Sequence, residues 1–245
     1  MYCRMHIVEI VRRCSFEQGV LQPFLCLAED GNYYFAKGSN STVIGLVTEW
    51  CSARLAQTFG LPTPEPDILY MDPLLKEISE ASWQVDLELE HLFGSRSVQP
   101  CETLTLSDLH LIPVGLQRDI FVFDYWINNS DRNIGAAGGN VNLLLESVSQ
   151  QLQVIDFNLA FSSNFSLDEM ELHVFRDAIA RKPIDLDSKA RYLSKMDLVR
   201  KEFELIVSQI PEEWFEFSES ANTTLEHIRK TLDLADKDEF WSKIT

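Results

Sequence analysis

The sequence predicts an α+β protein in which a small, strand-rich amino-terminal part precedes a mostly helical remainder. Three observations lead there. Apolar β-rich runs separated by turn residues fill the first 70 residues around a single helical pattern. Helical periodicity dominates from about Met71 onward, and one pair of short apolar strands interrupts it at residues 141–155. The division expected is 1–70 and 71–245, and 245 residues fit one large domain or two small lobes with a core that needs no disulfide or metal.

Taken in order, residues 6–11 and 23–28 are apolar and β-rich. Glu29-Asp30-Gly31-Asn32 carries hairpin-turn chemistry, and residues 33–37 form a third strand. After Gly38, Ser41 or Thr42 can cap a helix whose Val43, Val47, Trp50, Cys51, Leu55 and Phe59 recur at helical spacing, and Gly60 with Pro62 stops it. Residues 67–70 are extended. An acidic amphipathic helical stretch is expected around 77–93, then a loop at 94–103. Residues 117–128 read as an apolar helix ending in the polar loop 129–140. Residues 141–145 and 152–155 are two short strands, and the rest is helical, with Leu198, Phe203, Ile206 and Ile210 on an apolar face.

Composition excludes several classes. Apolar residues at 45% and charged residues at 24% are those of a folded globular chain. With 38 acidic against 21 basic residues, a net of -17, a broad phosphate-neutralising surface for nucleic acid is not expected, so an anionic ligand would need a local site. Cys3, Cys14, Cys26, Cys51 and Cys101 are scattered and odd in number, and read as free thiols of a reducing compartment. No signal peptide and no spanning apolar run is visible. A cytoplasmic protein without membrane contact is expected.

Phosphoryl transfer needs a cation on the phosphates, oxygen ligands for magnesium and a carboxylate near the attacking hydroxyl. The chain supplies these in order: Lys37 closing the third strand, Asp131 and Asn142 flanking the polar loop, and Asp156 after the strand ending Gln153-Val154-Ile155. Glu49, on the helix after Lys37, is placed to fold back and orient the ammonium.

The segments Tyr33-Tyr34-Phe35-Ala36-Lys37-Gly38, Thr48-Glu49-Trp50, Arg54-Leu55-Ala56, Phe59-Gly60-Leu61-Pro62-Thr63-Pro64, Phe123-Asp124-Tyr125-Trp126-Ile127-Asn128-Asn129-Ser130-Asp131-Arg132-Asn133 and Val154-Ile155-Asp156-Phe157 resemble the HipA-like kinases, chiefly short stand-alone domains of that kind. The resemblance covers roughly residues 10–165. It implies a two-lobed protein-kinase-like fold with ATP between the lobes, Lys37 on the phosphates, Asp131 as catalytic base, and Asn142 with Asp156 as Mg2+ ligands. It further implies a Ser/Thr protein substrate and, as in toxin–antitoxin pairs, a restraining antitoxin or regulatory protein. Ser15, the one hydroxyl in the loop from Arg13 to Gly19, is implied to lie at the phosphates and to be open to autophosphorylation. The chain departs from the pattern in three places. Asn140 and Asn142 lie nine and eleven residues after Asp131, later than is usual, and Asn142 is favoured because it precedes Leu143-Leu144-Leu145. Asn158 replaces a glycine of classical kinases, and the phosphate loop lacks the triple-glycine pattern. A kinase-like module that binds without turnover, and adenylyl transfer on the same scaffold, are the competing readings.

Overall fold

The computed structural model describes residues 4–16, 20–133 and 141–244. Strands β1 (Met5–Arg13), β2 (Phe24–Ala28), β3 (Tyr33–Lys37), β4 (Pro66–Tyr70) and β5 (His91–Arg96) close into a barrel in the order β1-β2-β3-β5-β4. Neighbours run antiparallel except at the closure, where Met5 and His6 pair in parallel with Leu69 and Tyr70. Alternation sets the inner face: Phe24, Cys26 and Ala28 of β2 are buried while Leu25 and Leu27 are half-buried.

Helix α1 (Val43–Phe59) follows β3. Of the two expected caps it uses Thr42, whose hydroxyl accepts the Gly45 N–H at 3.2 Å. Gly60 ends it in the left-handed region at φ 92, a conformation that needs no Cβ. Packed between β4 and β5 on one side and helices α6 (Leu186–Val207) and α8 (Ser220–Leu232) on the other, α1 is buried along most of its length. Its apolar residues therefore run all round the helix rather than along one stripe.

The stretch expected as an amphipathic helix at 77–93 is different. A short helix α2 (Pro73–Ile78) gives way to turns, and then β5 enters the barrel between β3 and β4. Leu87 and Leu89 are buried between exposed Glu88 and Glu90, a period of two that glutamate, a poor strand former, disguised. β5 accepts a glycine at its centre because a Cβ on Gly94 would sit 2.6 Å from the Leu69 side chain. The expected loop at 94–103 contains the end of β5 and strand β6 (Cys101–Thr103).

β6 joins β7 (Leu143–Glu146) and β8 (Leu152–Val154) in a three-stranded antiparallel sheet. Helix α3 (Val114–Trp126) starts earlier than expected, after Pro113, and stops before Asn128, whose φ of 52 is incompatible with a helix. α4 (Leu167–Met170), α5 (Arg176–Arg181), α6, α7 (Glu212–Glu216), α8 and α9 (Asp238–Ser242) complete the chain. On α6, Val199 rather than Leu198 faces the core, and Leu198 is exposed; Phe203 and Ile206 are buried as expected, as is Ile210 beyond the end of the helix. Cys14, Cys26, Cys51 and Cys101 are free thiols, and among the described residues no helix is long and apolar enough to cross a membrane.

Candidate functional site

At the end of β3 the Lys37 ammonium, buried to 8% exposure, donates to both Glu49 oxygens at 2.8 Å and to Asp156 Oδ1 at 2.9 Å. The barrel supplies the lysine, α1 the glutamate and the turn after β8 the aspartate. Burial acts to lower the Lys37 pKa, but the two carboxylates outweigh it and raise it, so the ammonium stays charged. Burial pushes the Glu49 carboxyl up to about 7, against the pull of Lys37 and with the help of Asp156. Asp156 is the accessible member of the three, its side chain 29% exposed.

Asp131 and Asn142 are brought together despite the eleven residues between them: Asn142 Nδ2 donates to Asp131 Oδ2 at 2.7 Å. Burial raises the Asp131 pKa, opposed by the Asn142 amide, and repulsion from the Asp156 carboxylate raises it further. That repulsion places Asp131 and Asp156 within one electrostatic neighbourhood. Asn142 and Asp156 each sit at positive φ, 50 and 57, where non-glycine residues are held only by the surrounding structure. Among the described residues no three His, Cys, Asp or Glu side chains converge on one point. One carboxamide plus one carboxylate suits magnesium, which keeps water and draws further oxygens from substrate phosphates.

Beneath these groups lies Asp124 of α3, fully buried. Its carboxylate accepts from Arg132 Nε at 2.8 Å, from Asn129 Nδ2 at 2.7 Å and from His173 Nε2 at 3.0 Å. Burial alone would raise its pKa, but Arg132 and His173 outweigh that and hold it below the ordinary value. Arg132 Nη1 continues to the carbonyl of Asn142 at 2.6 Å and that of Ile155 at 3.3 Å. Ile155 N–H donates back to the Asn142 carbonyl at 3.1 Å. Pro62 and Thr63, from the turn after α1, fasten β8: Val154 N–H donates to the Pro62 carbonyl at 2.7 Å, and the Thr63 hydroxyl donates to the Val154 carbonyl at 2.6 Å.

The family model for the HipA-like kinases matches residues 7–244. The chain belongs to the HipA-like kinase family. Its fold is similar to that of the Helicobacter pylori proinflammatory kinase CtkA, with a TM-score of 0.55 at 11% identity, over 100% of this chain and 97% of that one. No curated protein matches.

Within this HipA-like chain the residues expected at the site fall into two groups. Lys37, Glu49 and Asp156 meet directly, as do Asp131 and Asn142. Ser15 is exposed just past β1, where Cys14 N–H donates to the Pro23 carbonyl at 2.9 Å; Glu17–Gly19, the glycine-bearing loop 135–139 and Asn140 lie outside the described residues. Sequence reasoning gave no role to Asp124, Arg132, Thr63 or His173. Asp124 carried a readable signal, an acid in the otherwise apolar run Ile120 to Ile127, which must find a buried partner. His173, 49 residues from its acceptor, carried none.

Proposed function

We propose that this HipA-like protein is an ATP- and Mg2+-dependent kinase that phosphorylates a Ser or Thr of a protein, its nucleotide lying between a barrel-bearing lobe and a helical lobe. The observation carrying this reading is the junction of Lys37, on the barrel, with Asp156, beside the Asp131–Asn142 pair. Lys37 contacts the phosphates, and Glu49 keeps the ammonium aimed. Asn142 and Asp156 hold the cation, which neutralises phosphate charge when bound. Asp131 orients the acceptor hydroxyl and takes its proton, a task its raised pKa favours. Positioning and charge neutralisation supply most of the acceleration in such a transfer.

MgATP at millimolar concentration should raise the melting temperature of the purified protein, since a ligand bound only by the folded state stabilises it. No shift would count against the reading. The same measurement with transfer assayed in parallel separates a kinase from a module that binds without turnover.

A further inference from the structure

A buried ion pair is a poor source of stability, because desolvation consumes most of its Coulomb energy and apolar side chains would serve as well. The Asp124–Arg132 pair, both residues at 0% exposure, does one thing apolar packing cannot. It fixes the carbonyls of Asn142 and Ile155, and so the backbone at the two positive-φ residues Asn142 and Asp156. The third buried partner of Asp124 comes from far along the chain. His173 stands at the end of the segment that follows Asp156, and Phe175 N–H donates to its Nδ1 at 3.1 Å. That bond makes Nδ1 an acceptor and leaves the ring proton on Nε2, the nitrogen facing Asp124. The same strip is stitched to the Asp131 loop by the Asn133–His173 bridge and by Val174 N–H donating to the Arg132 carbonyl at 3.1 Å.

We propose that His173 is a positioning residue of the transfer site: through Asp124 and Arg132 it couples the placement of segment 157–173 to the geometry of the Asn142 and Asp156 cation ligands. The inference rests on the kinase reading above. Its consequence is that a displacement of segment 157–173 that moves the buried His173 alters the cation site. Partners that orient ligating groups govern metal affinity by about 10–100-fold when removed.

The test uses the full chain and two readouts. One is amide exchange at Ile155, measured without magnesium, because its N–H bonds the Asn142 carbonyl that Arg132 holds. The other is the Mg2+ concentration giving half of the ATP-induced thermal shift. In His173→Ala, Ile155 exchange should quicken about tenfold or more and the Mg2+ midpoint should rise about 10–100-fold. His173→Gln carries an amide nitrogen where Nε2 was and should stay near the parent, whereas the shorter His173→Asn should behave like the alanine variant. The Gln and Asn contrast decides the matter even where His173→Ala fails to fold. Variants that melt lower yet keep the parent's Ile155 exchange and Mg2+ midpoint would make His173 structural only and overturn the inference. A parent that shows no Mg2+-dependent ATP shift would instead overturn the kinase reading, and this inference with it.

Discussion

The two charged clusters of this molecule are built in opposite ways. Around Lys37, two carboxylates share one ammonium, Asp156 reaches solvent, and burial pushes the Glu49 carboxyl up against the pull of Lys37. Around Asp124, one carboxylate accepts from three buried donors and its pKa is held low. In the proposed reaction the first cluster exchanges partners when phosphates and a cation arrive. The second keeps its partners and holds the backbone of the first. A site that must change its electrostatics during a reaction needs a rigid neighbour that does not.

The largest effect should come from breaking the rigid cluster. Asp124→Ala strands the Arg132 guanidinium in the core and should cost about 3–5 kcal/mol. For a chain of this size that is a fall of roughly 10 °C in Tm, read by calorimetry. Glu49→Gln sharpens the contrast. Lys37 keeps Asp156, which reaches solvent, and the glutamine retains an acceptor for the ammonium, so the loss should stay at about 1–3 kcal/mol. Equal losses in the two variants would erase the distinction between the clusters.

Asp156→Ala comes next. It removes a proposed cation ligand while sparing the Lys37–Glu49 pair, and should abolish a MgATP stabilisation of about 2.7 kcal/mol expected at a hundredfold excess over Kd. An undiminished thermal shift would remove Asp156 from the site. Thr63→Val should cost about 1 kcal/mol by deleting the bond to the Val154 carbonyl, seen as a Tm lower by about 2–4 °C with MgATP binding retained.

These expectations mark what could be read without coordinates. The first three strands and α1 were legible because alternation, a hairpin turn, a Thr cap and a glycine stop are local signals. β5 was not, since its lead-in alternates leucine with glutamate and its pairing partners, β3 and β4, lie far off in sequence. Lys37, Glu49, Asp131, Asn142 and Asp156 were selected as residue types in order, but only three-dimensional structure brings Asn142 to Asp131. The Asp124 network was half legible: an acid on an apolar helix demands a partner, while nothing local announces that His173 is one of them.

A smaller effect separates the clusters by pH. As the proposed base, Asp131 would have to be ionised to accept a proton, and burial together with Asp156 raises its pKa, so kcat should climb with pH through a limb lying above the ordinary aspartate range of about 4. Asp124, held low, contributes stability that is present above the unfolded value and is lost as pH falls through the folded one. Activity should therefore fail on acidification before the fold does. Thermal melts and initial rates over one pH series check the order, and coincident loss of both would contradict it.

The most direct test of the whole account is the fate of labelled phosphate. The protein is incubated with Mg2+ and ATP labelled at the γ-position, and in parallel at the α-position, with a protein acceptor present. Label from the γ-position should enter Ser or Thr of protein, and Asp131→Asn should reduce its rate by about 10²–10⁴-fold while MgATP still stabilises the variant. Incorporation from the α-position instead, or transfer that is undiminished in Asp131→Asn, would contradict it.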